Sequence, residues 1–134
     1  MRPLSILVVD DCADTTTTMA ALLNAWGHTA HVAGDGAEAL ALAAAFQPDL
    51  VMIDIGMPGM SGWELARQLR HVAGIEHAIL MVVSGYSQPS DLERSLAAGC
   101  DMHLTKPVEP DELKRLLQLV ADKESVREPL TSDF

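Results

Sequence analysis

Asp10 and Asp11, Asp54, Ser84 and Lys106 have the clearest capacity for chemistry in this sequence. Asp10 and Asp11 are adjacent carboxylates that close the apolar run Ile6 to Val9. Two like charges about 4 Å apart repel by roughly 4 kcal/mol at an effective dielectric near 20, so such a pair implies a cation to answer it. Magnesium is a hard ion that takes one or two carboxylates, keeps several waters and accepts phosphate oxygens as its remaining ligands. A third carboxylate, Asp54, at the end of another apolar run, can act as a nucleophile toward phosphorus and form an acyl phosphate. Lys106 supplies a mobile positive charge and Ser84 a hydroxyl donor to the oxygens of a transferring phosphoryl group. The small Gly85 beside Ser84 leaves room for a phosphodonor. This is the chemistry of Mg²⁺-assisted phosphoryl transfer.

These residues lie far apart in the chain, so the fold must gather them. Five apolar runs, Ile6 to Val9, Thr29 to Ala33, Leu50 to Ile53, Ala78 to Val83 and Met102 to Leu104, alternate with five segments of helical period. Continuous runs rich in Val, Ile, Leu and Met are the mark of strands buried on both faces. Met19, Leu22, Leu23 and Trp26 repeat at i, i+3, i+4 and i+7 ahead of Gly27, which suits a helix stop. Ala37 to Phe46 forms an alanine-rich second helix that ends before Pro48. Leu65, Leu69 and Val72 follow Ser61 and Glu64, which have capping-box spacing, and Ser90 and Glu93 repeat that spacing ahead of Gly99. Pro110 opens a last helix carrying Leu113, Leu116, Leu117 and Val120.

Alternating strands and helices imply right-handed crossovers and a parallel sheet covered on both faces. For a five-strand α/β chain the expected doubly wound order is 2-1-3-4-5, with the ligand crevice beyond the carboxyl ends of strands 1 and 3. Asp10, Asp11, Asp54, Ser84 and Lys106 all fall at that edge.

Composition narrows the remaining choices. The chain has 134 residues, 49% hydrophobic and 21% charged, with a formal net charge of −10. That suits one globular domain and opposes direct binding of nucleic acid, which requires clustered Lys and Arg. No run reaches the ~20 apolar residues that span a bilayer and no signal-peptide pattern opens the chain, so the expected location is cytoplasmic, with no membrane contact. Cys12 and Cys100 are expected at opposite ends of the sheet as reduced thiols, Cys12 as a small filler. His28 and His31 have odd spacing that sends them to opposite faces, and His71 and His77 read as surface residues. Met52, Met57, Met60 and Met81 read as core and loop packing. Residues 1–122 are expected to form the domain, and the charged stretch 123–134 to be a flexible tail.

The motifs "ILVVDD", "DLVMIDIGMPGMSGWELARQLR", "MVVSGY" and "HLTKPV" together resemble the receiver domains of two-component response regulators, the CheY-like family, over about residues 4 to 122. The resemblance implies a flavodoxin-like fold in which Asp54 is phosphorylated by a histidine kinase or phosphotransfer protein. It implies that Asp10, Asp11, Asp54 and the Gly56 carbonyl hold Mg²⁺, Asp10 mainly through a metal-bound water, and that Ser84 and Lys106 serve the phosphoryl group. Phosphorylation would then draw in Ser84 and His103, the residue three before the lysine, and alter the surface of the fourth helix, fifth strand and fifth helix, a surface suited to forming a homodimer. The Lys106–Pro107 bond matches the family's cis peptide. His103 departs from the usual Tyr or Phe, and Gly56 is small where many members carry a larger shielding residue, a role Tyr86 is placed to take. The stretches "WGHTAHVAGDGAEAL" and "IGMPGMSGWELARQLR" look most like receivers attached to hybrid sensor histidine kinases.

Three other readings compete. A Mg²⁺-dependent aspartyl-phosphate phosphohydrolase of the haloacid-dehalogenase type would need a second acid two residues after its nucleophile, and that position is Gly56. A flavin mononucleotide module would need a phosphate-cradling loop after the first strand, where "DDCADTTTT" places carboxylates. A degenerate receiver would act only by binding other proteins.

Overall fold

The computed structural model describes residues 2–57, 59–85 and 88–122. Strand and helix alternate in the order β1 (Ser5–Val9), α1 (Ala13–Ala25), β2 (Thr29–Ala33), α2 (Gly36–Phe46), β3 (Leu50–Asp54), α3 (Gly62–Leu69), β4 (Ile79–Ser84), α4 (Pro89–Ala97), β5 (Met102–Thr105) and α5 (Pro110–Asp122). The five strands form one parallel sheet in the order β2-β1-β3-β4-β5. This is the flavodoxin-like arrangement expected from the alternation of runs, with the predicted strand centres in place.

Alternate residues of the buried strands feed two cores, one on each face. Leu7, Val9, Val51, Ile53, Leu80 and Val82 pack against α2 and α3 through Ala39, Ala43, Leu65 and Leu69. Ile6, Val8, Leu50, Met52, Met81 and Met102 pack against α1 and α5 through Leu23, Leu113, Leu116 and Val120. Both faces of each central strand are therefore buried, which is why those strands read as unbroken apolar runs. Met57 is also buried and Met60 is half-buried, so the methionines are packing residues.

The helix signals hold with local corrections. Asp35 caps α2 by accepting the Glu38 N–H, and Ser61 caps α3 by accepting the Glu64 N–H. α3 ends at Leu69, so Val72 lies beyond it and packs against the core from the following turn. α4 does not start from a Ser90–Glu93 box. Its cap is Gln88, whose N–H donates to Asp91 Oδ2, because Pro89 is preset for the first helical position and moves the start forward.

Cys100 is buried where the chain enters β5, and burial pushes its thiol up to about 12. Cys12 lies at the other end of the sheet but is not a filler. It is exposed as the cap residue of α1, where hydrogen bonding at Thr15 lowers its thiol pKa. His71 and His77 are exposed, His31 stacks on Phe46, and His28 is buried, its Nδ1 accepting the Leu4 N–H. Burial holds the His28 pKa below its ordinary value.

The end of the sheet away from the carboxylates is tied by Arg70. Its guanidinium donates to the carbonyls of Gly99 and Ala78 and meets Asp101 Oδ2 at 2.6 Å, while that same oxygen accepts the Leu80 N–H. One side chain thus joins the end of α3 to the entrances of β4 and β5. Arg70→Met keeps the aliphatic stem and leaves these acceptors without their charged donor, so it is expected to lower stability by about 2 kcal/mol. Urea unfolding checks this: the midpoint should fall with an unchanged slope, and a shift below about 0.5 kcal/mol would show the clamp to be dispensable.

Candidate phosphoacceptor site

The carboxyl edge of the sheet brings the predicted residues together. Asp10 follows β1, its N–H held by the Ala33 carbonyl at the end of β2. Asp54 is the last residue of β3 and lies in register with Val83 of β4. Asp10, Asp11 and Asp54 each offer a carboxylate oxygen, all within 4.8 Å of one another. Lys106 projects from the segment after β5, with Nζ at 3.4 Å from Asp54 Oδ1 and 3.7 Å from Asp10 Oδ2.

The carboxylates differ in surroundings. Asp11 is exposed, Asp54 is half-buried, and the Asp10 side chain keeps only 8% of its surface exposed. Asp10 Oδ1 accepts the Cys12 N–H at 3.0 Å. Burial, and then the nearby charges of Asp54 and Asp11, push the Asp10 carboxyl above the ordinary carboxylate range, although the Cys12 N–H and Lys106 pull it down. The ammonium therefore does not offset burial and repulsion at Asp10. Hard oxygen donors carrying more negative charge than their neighbours balance fit a small divalent cation, so the donor set suits Mg²⁺.

Ser84 ends β4 and is 1% exposed, in register with Thr105. Its carbonyl accepts the Lys106 N–H at 2.8 Å, so hydroxyl and ammonium are set by one backbone contact between neighbouring strands. The Lys106–Pro107 bond is cis. Gly56 is exposed, and a Cβ there would meet nothing within 4 Å, so the space above the end of β3 is open. Tyr86 lies outside the described residues.

Gly62 is a site-shaping residue that sequence reasoning missed. A Cβ at Gly62 would lie 2.6 Å from the Asp54 carbonyl oxygen and 2.8 Å from Ile55 Cα, and the Gly62 N–H donates to the Ile55 carbonyl. Only glycine lets the start of α3 approach the end of β3 this closely. Its place inside the capping box was the available signal. His103 is buried in β5, with Nδ1 at 3.2 Å from Ser95 Oγ.

Beside the carboxylates a cleft of about 810 Å³ opens between α1 and the segment leading into α5. Asp10, Asp54 and Lys106 line it together with Thr15, Met19 and Val108. A reacting group therefore has a route to Asp54.

The sequence matches the family model for the response regulator receiver domain over residues 6–118. The chain belongs to this family. The receiver is 36% identical over 118 residues to an uncharacterized 14.6 kDa protein of Leptolyngbya boryana, covering 88% of this chain and 90% of that one. It is 34% identical over 108 residues to the DNA-binding response regulator MtrA of Mycobacterium tuberculosis, covering 81% of this chain but only 46% of the relative. It covers 14% of the gliding motility regulatory protein of Myxococcus xanthus, at 35% identity over 78% of this chain. Among solved structures it is similar to the chemotaxis protein CheY4 of Vibrio cholerae, with TM-score 0.84, 28% identity and coverage of 89% and 99% of the two chains. It is likewise similar to the receiver domain of a signal transduction histidine kinase from Syntrophus aciditrophicus, with TM-score 0.82, 27% identity and coverage of 98% and 99%. The chain is thus a CheY-like phosphoacceptor module of two-component signalling.

The strain at Asp10 yields a prediction whose sign follows from its raised pKa. A carboxyl that holds its proton more tightly folded than unfolded destabilises the fold once ionised, and the penalty fades as pH falls through its folded pKa. Asp10→Asn keeps the acceptor for the Cys12 N–H and removes the charge. In chelator at neutral pH it should stabilise the receiver by on the order of 1 kcal/mol, and the gap should close as pH falls through the folded-state pKa of Asp10. Urea midpoints over that range check both the sign and the convergence.

Proposed function

We propose that Asp54 is the phosphorylated residue, and that Asp10, Asp11, Asp54 and the Gly56 carbonyl hold the Mg²⁺ on which its phosphorylation depends. The observation that carries this reading is the convergence of three carboxylates and Lys106 Nζ at the end of β3. When bound, Mg²⁺ would supply charge neutralisation for the oxygens of the incoming phosphoryl group.

The rest follows from the receiver's own groups. Asp54 sits at the end of a rigid strand, with backbone on either side fixed by pairing and by the close approach of Gly62. Its carboxylate oxygen attacks phosphorus while the bond from phosphorus to the donor breaks, giving an acyl phosphate. Lys106 then turns from its carboxylate partners to a phosphoryl oxygen, and the Ser84 hydroxyl donates to another. Residues 1–122 form the receiver. The chain acts on its own phosphoryl group, returning the carboxylate when water cleaves the acyl phosphate.

The donor in this reading is a sensor histidine kinase or a histidine phosphotransfer protein, reaching Asp54 along the cleft beside α1. A histidine kinase takes its phosphoryl group from a cytoplasmic nucleotide, and this reading accordingly includes a cytoplasmic receiver. Phosphorylation alters the surface of α4, β5 and α5 through Ser84 and His103, and that surface is the one a homodimer or downstream protein would read. A shift of a few kcal/mol in differential contact suffices for such a change.

Incubation with acetyl phosphate, followed by intact-mass measurement and by borohydride reduction of the acyl phosphate before peptide mapping, tests the assignment. One phosphoryl mass should be gained only with Mg²⁺, the reduced product should map to residue 54, and Asp54→Ala should show no gain. Reduction mapped to residue 10 or 11, or an equal gain in Asp54→Ala, would overturn it.

A further inference from the structure

Beyond the carboxylate edge, the molecule contains a buried polar chain of which only His103 enters the reading above. Ser95 of α4 is fully buried, at 0% exposure, and its hydroxyl meets two side chains from other elements. The Trp63 indole N–H, on the first turn of α3, donates to Ser95 Oγ at 2.9 Å. His103 Nδ1, in β5, lies 3.2 Å from the same oxygen. The preceding residue of α4, Arg94, lays its guanidinium carbon 3.8 Å over the centre of the Trp63 ring. Two consecutive residues of α4 therefore hold one indole, by its face and by its N–H.

Proton counting gives this chain a direction. An indole nitrogen only donates, so Ser95 Oγ is the acceptor toward Trp63. The hydroxyl has one proton of its own, and among the described residues His103 Nδ1 is its side-chain partner. Buried polar hydrogens without an acceptor are costly, so the arrangement that satisfies the serine hydroxyl has it donating to a bare Nδ1. In that arrangement His103 would carry its proton on Nε2.

Both ends of the chain belong to elements that reach the phosphoacceptor edge. Trp63 directly follows Gly62, whose backbone lies against the Asp54 carbonyl. His103 is two residues before Thr105, which is in register with Ser84, and three before Lys106, whose Nζ meets Asp54. Ser95 is thus in contact with one side chain from each of two elements that reach that edge.

We propose that Ser95 is a positioning residue that fixes the tautomer and placement of His103 and couples β5 to α3 through Trp63, so that α4 moves with the phosphoacceptor edge. This rests on the reading of Asp54 as the phosphorylated residue for its functional consequence, but not for the relay itself.

Nitrogen-15 NMR of the full chain, labelled at histidine and tryptophan, tests both parts. In the native chain His103 should show a pyridine-type Nδ1 and a protonated Nε2. Trp63→Phe should leave that tautomer in place, since it removes only the donor to Ser95. Ser95→Ala should release both ends, moving the Trp63 indole N–H signal upfield and letting His103 mix tautomers. On adding acetyl phosphate and Mg²⁺, the Trp63 and His103 signals should move together in the native chain and independently in Ser95→Ala, while the mass gain is the same in both. A protonated Nδ1 in the native chain, or an unmoved Trp63 signal in Ser95→Ala, would overturn the relay. Coupled movement retained in Ser95→Ala would overturn the positioning role. The native tautomer decides the relay even if a variant fails to fold, and absence of a mass gain would instead count against the Asp54 reading.

Discussion

The structure depends on holding three carboxylates where they repel one another. Asp10, Asp11 and Asp54 come within a metal ion's reach only because β1 and β3 are adjacent parallel strands ending at the same edge. Hydrogen bonding in the central sheet and two apolar cores oppose that repulsion, and Lys106 offsets part of it. The burial that makes the strands rigid also raises the pKa of Asp10. Hard oxygen donors gathered this way suit a divalent cation, whose charge would relieve the repulsion among the three carboxylates.

The same constraint explains how the remaining residues are arranged. Lys106 approaches two carboxylates from a segment beyond β5 rather than from the strand, held at its N–H by the Ser84 carbonyl. Gly62 must be small because α3 starts against the carbonyl of Asp54, which keeps the strand end from yielding. At the opposite edge Arg70 ties the entrances of β4 and β5 to α3, so the sheet is fixed at both ends. The carboxylate edge is thus tied to the helical layer through specific contacts.

Much of this was legible in the sequence because it rests on local chemistry. Continuous apolar runs marked the central strands, and a topological rule then placed Asp10, Asp11, Asp54, Ser84 and Lys106 at one edge without any knowledge of contacts. What the sequence hid depended on three-dimensional packing. The start of α4 was misplaced because Ser90 and Glu93 mimic a capping box, whereas Pro89 and Gln88 set the helix two residues earlier. Cys12 looked like a filler because neighbouring residues do not reveal that a cap position faces solvent. Trp63 and His103 are 40 residues apart and meet only through Ser95, so no spacing pattern announces them.

The most direct measurement of the central claim is the stability of the metal-free chain as Mg²⁺ is added, followed by urea unfolding at neutral pH. If the three carboxylates are strained for want of a cation, stability rises with Mg²⁺ as the logarithm of one plus its concentration over its dissociation constant. That increment should be lost in Asp54→Asn. Stability unchanged by Mg²⁺, or an increment of the same size in Asp54→Asn, would contradict the account.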